Sequence, residues 1–402
     1  MVTRNNKSAI GNRQSAIYQT VYDQLFSWCR EHDFAGHDPF DALNSRVFQS
    51  TPFSKSRSAR LAWTQLVKRS PTDLRRLASV PEQRNAKGLA LFALAQLARH
   101  RAQQTPETEK QTRSILGELL SMKAPGYNGA AWGYNFDWQS RNFFAPRNTA
   151  TIVPTAFAGR AFLEAARDLN DERFLSVARS VCDFILEDLS RSYESEDEVC
   201  FSYSTHSKTR IYNASLLAAE VLAGVGNAMA ESELTDWAVR AARYVVNRQQ
   251  PDGSWLYGDE PAQSWIDNFH TAFILFSLQR VIDAASLGDE FQSALKRGYD
   301  YWQKTFFLAD GWPKYYHDDP YPADAHAGAS AIVTFLELAD LTENSIELAK
   351  RVAGWTIENL RDERGFFYYQ KRRFYTVKKP YMRWSQAWML YAVARLLETK
   401  CQ

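Results

Sequence analysis

The sequence predicts an all-α chain folded as an (α/α)6 toroid: six outer-inner helical hairpins in a double ring, with short strands in the loops at one end. Three observations predict it. First, "DGSWLYG" at 252–258 is followed by the strongly apolar "HTAFILFSL", and the same order recurs along the chain. Second, the helices are of two kinds, one amphipathic and one apolar nearly all round, which a soluble chain tolerates only if other helices enclose it. Third, the apolar helices start near Asn85, Thr151, Asn213, His270, His326 and Gln386, and the last four intervals are 62, 57, 56 and 60 residues. That is a hairpin period.

Taken in order, the first outer helix spans about 14–32, and its inner partner, "NAKGLALFALAQLARH", follows an insert at about 33–84. The insert holds "GHDPFDALNS" and an amphipathic "SARLAWTQLVKR". Then "AAWGYNFDWQ" precedes "IVPTAFAGRAFLEAA", and "VCFSYSTHSKTRIYN" runs into "ASLLAAEVLAG". "DGWPKYYHDDPYPADAH" leads to "AGASAIVTFLELA", and "RGFFYYQKRRFY" to "WSQAWMLYAVARLL". Outer helices such as "FLSVARSVCDFILEDL" and "SIELAKRVAGWTIENL" carry one apolar stripe at i, i+3/i+4. Inner-to-outer links are short, whereas outer-to-inner links run to twenty residues and hold the aromatics, the histidines and most isolated carboxylates. Long loops on one end of a rigid scaffold are where a site is expected. The inner helices begin at that end, so their N-terminal dipoles favour a polar or anionic ligand.

The 402 residues, 45% hydrophobic, can bury a large core, and the continuous repeat argues for one domain over 1–402. A net charge of +2 without basic blocks gives no reason to expect nucleic acid. The first residues lack an apolar stretch, so a cytoplasmic protein is expected. Cys29, Cys182, Cys200 and Cys401 have no zinc-type spacing, and neither metal nor cofactor is expected.

The alternation of helix types, with DG-aromatic loops between, resembles the six-hairpin glycosidase-like superfamily over nearly the whole chain. "GAAWGYNFDWQSRNFFAP", "DGSWLYGD…WIDNFHTAF", "KYY…YPADAHA" and "PYMRWSQAWMLYA" resemble uncharacterised toroid proteins of bacterial exopolysaccharide and capsule gene clusters. "QQPDGSW" is also similar to a repeat of squalene-type terpene cyclases, but it occurs once and no DxDD acid motif accompanies it. The resemblance implies an oligosaccharide or polysaccharide ligand and, as partners, other polysaccharide-biosynthesis proteins.

Asp137, between Phe136 and Trp138, is a candidate general acid dried by its neighbours, or a loop cap. Asp267 and His270 in "WIDNFHTAF" are matched by Asp324 and His326 in "YPADAHAG": two acid-imidazole pairs at equivalent helix starts, or two N-caps with packed histidines. A glycoside hydrolase would set two of the three aspartates about 5–5.5 Å or roughly 6.5–9.5 Å apart. An epimerase or lyase would instead use His270 and His326. Trp132, Trp138, Trp255, Trp265, Trp312 and Trp384 are candidate stacking platforms or loop plugs, with Tyr203, Tyr257 and Tyr315 beside them. Asn213, Arg383 and Gln386 are candidate hydroxyl or carboxylate contacts, as are Arg141 and Arg147. Asp38 and Asp41 lie in the insert over the mouth. A non-catalytic glycan-binding or scaffold module is the alternative class, and a terpene cyclase-like protein a further one.

Overall fold

The computed structural model describes residues 2–139 and 144–399, with 2–12 as helix backbone alone; Arg141 and Cys401 lie outside the described residues. Twelve helices form the double ring. They are α1 (Val2–Glu31), α2 (Ala86–Gln103), α3 (Pro106–Ser121), α4 (Ile152–Asp168), α5 (Glu172–Asp183) and α6 (Tyr212–Met229). Next come α7 (Ser232–Val246), α8 (Asn268–Ala285), α9 (Asp289–Phe306), α10 (Ala325–Glu337), α11 (Ser345–Leu360) and α12 (Trp388–Glu398). The even-numbered helices are the inner layer. Each packs on the next, and α12 returns to α2, which closes an (α/α)6 toroid. The tight pairs are set by the short links: α3 packs on α2, α5 on α4, α7 on α6. By the same phase α1 packs on α12, so the first and last ring helices seal the barrel together.

Strands are confined to the long loops, as two-residue ribbons (Trp138–Gln139 with Phe144–Ala145), a hairpin (Arg191–Glu194 with Val199–Phe201) and a three-stranded patch of Ala323–Asp324, Gln370–Lys371 and Thr376–Val377. The loops are stitched to one another at the inner-helix N-termini. The first N–H of α4, α6, α8 and α10 donates to the carbonyl of Tyr203, Tyr257, Tyr315 and Tyr369 respectively, each in the loop that follows that helix in the ring. A helix N-terminus leaves such donors unpaired. The repeated tyrosine is therefore pinned at the rim of the axis, once per hairpin.

The first aromatic of each pair has a different task. Trp132 Nε1 donates to the Leu119 carbonyl at the end of α3 (2.7 Å), and Trp255 Nε1 to Val245 at the end of α7 (2.9 Å). Both indoles are buried and satisfy outer-helix C-terminal carbonyls. They are loop plugs, not sugar platforms. Gly253 and Gly311 have φ of 91° and 93°, and a β-carbon on either would lie 2.5 Å from a carbonyl oxygen, of Arg297 or Arg351, on the next outer helix. The DG turns are thus docking turns.

At the opposite end five arginines and several carboxylates line a hollow of about 730 Å³. Arg101 binds Asp168 and Glu398 (2.5 Å each), Arg280 binds Glu337 (2.8 Å) and Glu164 (3.3 Å), and Arg395 binds Glu337 (3.1 Å). Arginine here complements the negative ends of the inner-helix dipoles. Burial would raise the Glu164 carboxyl, but Arg101, Arg280, Arg167 and Arg395 together hold it down, from 4.5 to about 2. A depressed folded-state value means stability that is complete above the unfolded value and lost as pH falls through the folded one. Thermal stability is expected to fall between about pH 4.5 and 2, and Glu164→Gln should flatten that slope in a melting-temperature series. An unchanged slope would remove Glu164 from the account.

Candidate functional site

A cavity of about 150 Å³ opens at the end where the inner helices begin, and five of them, with the turn leading into the sixth, contribute to its wall. They supply Lys87 from α2, Val153 from α4, Asn213 from α6, Phe269, His270 and Phe273 from α8, His326 from α10, and Arg383 with Trp384 from the turn leading into α12. That turn, Met382–Ala387, is π-helical, a device that adds a residue to a helix end and recurs at functional sites. It lets two consecutive side chains face the cavity. The loops add Tyr134, Tyr203, Tyr257 and Tyr315, with Phe136 and Trp138, and the insert adds Phe40.

His270 is held by its neighbour three residues back. Asp267 caps α8, accepting from His270 N (3.0 Å) through Oδ1, while Oδ2 lies 2.7 Å from His270 Nδ1 and 3.1 Å from Trp265 Nε1. A proton on Nδ1 donates to the carboxylate and leaves Nε2 for the cavity, the orientation that an aspartate imposes on a catalytic imidazole. His326 is the opposite case. Its ring is buried between Phe269, Trp384 and Trp388, with centroids at 4.5, 4.4 and 4.8 Å. Among the described residues neither ring nitrogen has a hydrogen-bond partner. Burial, then the charges of Lys87 and Arg383, push its pKa well below 6.5, so the imidazole is neutral.

Arg383 is buried, and its Nε and Nη2 hold the two Asp38 carboxylate oxygens at 2.6 and 2.8 Å. Nη1 makes no hydrogen bond to a described residue. The insert is therefore part of the site: Asp38 fixes Arg383, and Phe40 packs on Trp384 at 5.5 Å. Burial above all keeps Tyr134, Tyr203, Tyr257 and Tyr315 above the ordinary tyrosine range, so each remains a hydroxyl donor.

Of the residues expected from sequence, the cavity brings together Trp138, Tyr203, Asn213, Tyr257, His270, Tyr315, His326, Arg383 and Trp384. The rest lie elsewhere. Asp137 is in the rim loop, its Oδ1 accepting from Arg147 N (2.8 Å), which is a turn-capping role. Asp267 and Asp324 are buried caps behind the histidines. Asp324 accepts from the N–H groups of His326 and Ala327, from Gln370 Nε2 (2.6 Å) and from Trp384 Nε1 (2.9 Å). Burial raises its pKa to about 6. Trp132 and Trp255 plug loops, as above. Trp312 packs on Trp355 (4.8 Å) outside the ring, with its Nε1 on the Pro320 carbonyl. Gln386 is buried, clamping Phe367 through both N–H and carbonyl (2.7 and 2.8 Å). The expected carboxylate pair is thus not in the cavity, whose described lining contains no Asp or Glu.

Sequence reasoning missed Lys87, and its signal was available: "NAKGLALFALAQLARH" sets one charged side chain at the start of an otherwise apolar inner helix. The larger hollow at the other end is the weaker candidate, because its charges are already spent on one another as ion pairs.

No protein-family model and no curated protein matches the chain. Solved structures do match its fold. A cellobiose 2-epimerase from Bacillus thermoamylovorans aligns over 80% of this chain and 90% of its own, with a TM-score of 0.62 at 11% identity. A GH76 α-mannanase from Bacteroides thetaiotaomicron covers 80% and 88%, with 0.63 at 12%. A D-mannose isomerase covers 79% and 88%, with 0.59 at 13%. The likeness is one of fold: the chain shares with these structures a closed double ring of six helical hairpins, the (α/α)6 toroid.

Proposed function

We propose that this protein is a carbohydrate-active enzyme that removes a carbon-bound proton of a sugar and then either returns one to carbon, as an epimerase or isomerase does, or expels the oxygen substituent of the adjacent carbon, as a lyase does. One observation carries the reading: a His326 with no hydrogen-bond partner among the described residues shares a cavity, whose described lining holds no carboxylate, with a His270 oriented by Asp267. A C–H next to a carbonyl or carboxyl group is removed by a base near neutrality, and the resulting enolate oxygen needs fixed donors. His326 takes the proton; His270, held by Asp267 through Nδ1, delivers one from Nε2; Arg383 Nη1 and the tyrosine hydroxyls face the oxygen. The hydrolase reading loses support, since glycoside hydrolysis needs two carboxylates beside the scissile bond. Among proteins of this fold, the cellobiose 2-epimerase and the D-mannose isomerase support the reading.

The loop motifs' resemblance to proteins of exopolysaccharide and capsule clusters supports a sugar or glycan of surface-polysaccharide synthesis as substrate, handled in the cytoplasm alongside other proteins of that synthesis. No helix of the described residues is long and apolar enough to cross a membrane.

The test is exchange. Incubated in D2O with cellobiose, D-mannose and D-glucuronate, the protein is expected to introduce deuterium at the carbon next to the carbonyl or carboxyl group, read by NMR. Glycan cleavage without exchange would restore the hydrolase; binding without either would leave the module.

A further inference from the structure

The cavity floor holds a charge that the proton-transfer reading leaves unused. Lys87 is buried at the start of α2, and its Nζ lies 4.3, 4.8 and 5.3 Å from the ring centroids of Phe157, Phe273 and Trp388. No described residue pairs with it. The nearby carboxylate, Asp38, is engaged on both oxygens by Arg383. An ammonium in such a place is costly unless an anion accompanies it, and three ring faces repay only part of that cost. Burial, then the like charges of Arg383 and Arg160, accordingly push the Lys87 pKa well below its usual range, with Asp38 opposing weakly. His326 faces the same space and feels the same positive field. Beside Lys87, Arg383 offers Nη1, which has no hydrogen-bond partner among the described residues, and the described wall brings no carboxylate to compete.

We propose that Lys87 and Arg383 Nη1 form a carboxylate-binding subsite, so that the substrate is an acidic sugar of the hexuronate class. This deepens the proton-transfer reading and rests on it for the chemistry, because the hydrogen alpha to a sugar carboxylate is the one an imidazole removes once cations neutralise the carboxylate. A carboxylate is favoured over a phosphate ester because it is bonded directly to the ring carbon that must reach the histidines, within a cavity of about 150 Å³.

Binding to the purified full-length protein is measured by calorimetry for D-glucuronate, D-glucose and D-glucose 6-phosphate at two salt concentrations. D-glucuronate is expected to bind at least about thirtyfold more tightly than D-glucose, the scale of a buried charge pair, and salt should screen that preference only weakly. Lys87→Met should abolish the preference, and Lys87→Arg should retain part of it. The Met variant is expected to fold, since an apolar side chain replaces an unpaired buried cation, and its melting temperature checks this. Equal affinity for D-glucuronate and D-glucose, a preference surviving in folded Lys87→Met, or no binding of D-glucuronate would overturn the proposal; tighter binding of the phosphate ester would replace the carboxylate by a phosphate. Deuterium exchange into neutral sugars without glucuronate preference would sink the subsite alone. Glucuronate binding through Lys87 with no exchange in any sugar would sink the proton-transfer reading and leave the subsite.

Discussion

His326→Gln is expected to lower the rate of proton exchange by about 10²–10⁴-fold while leaving sugar binding within a few-fold, the scale on which a positioned acid or base contributes. Glutamine fills most of the imidazole volume between Phe269, Trp384 and Trp388, so the loss would not be one of packing. His270→Gln should cost a similar factor, and the double variant little more than either alone, because groups acting in one proton transfer are not additive. The pH profile adds a sign. In the proposed reaction His326 is the base; its pKa is held well below 6.5, so it stays unprotonated as pH falls through 6.5, and the acid limb of the rate should lie below that value. Asp267→Asn should act through His270, lowering turnover with little effect on apparent affinity and altering the pH profile, which a purely structural cap would not do. Wild-type exchange rates in both single variants would remove the histidines from the chemistry.

The fold was legible because burial writes itself into composition. A helix such as α6, with Ala, Leu, Val and Gly on every face, has nowhere to go but inside, and the spacing of such helices counts the hairpins. The pairing of α1 with α12 was less visible, since it follows from link lengths summed around a closed ring rather than from any local pattern. The site was only half legible, for local reasons. Asp267 and Asp324 look alike as acids before a helix and a histidine, and both proved to be caps; in sequence a cap and a catalytic acid are the same letter. Trp132 and Tyr134 are both aromatic, yet the indole N–H found an outer-helix carbonyl while the phenol, bonded to Tyr203 at 3.3 Å, stayed on the axis. Gln386 reads as a sugar contact until Phe367, nineteen residues before it, arrives to use both ends of its amide. Lys87 carried a local signal, a cation on an enclosed helix, whose meaning depends on no described carboxylate pairing with it, the nearby Asp38 being held by Arg383.

The insert binds fold and site together, and Asp38→Ala should have the largest effect on stability. Asp38 and Arg383 are both buried, joined by two hydrogen bonds, and the Asp38 carbonyl also accepts from Arg75 Nη2 at 2.6 Å. Removing the carboxylate strands a guanidinium beside Lys87, a second cation without a partner. Truncating one member of such a pair costs about 3–5 kcal/mol, whereas replacing both by apolar groups is often neutral. Asp38→Ala is therefore expected to lose about 3–5 kcal/mol in urea unfolding, and to release the insert, whose helix over Arg57–Arg69 should become sensitive to limited proteolysis. The double variant Asp38→Leu/Arg383→Met should recover most of that stability but not exchange activity, because the proposed chemistry uses Arg383 Nη1 as the donor at the oxygen. Recovery of both would make the pair a structural bolt with no part in the chemistry. Recovery of neither would mean that the insert is held by Asp41 and Arg75, whose own buried pair at 2.7 Å is the second anchor.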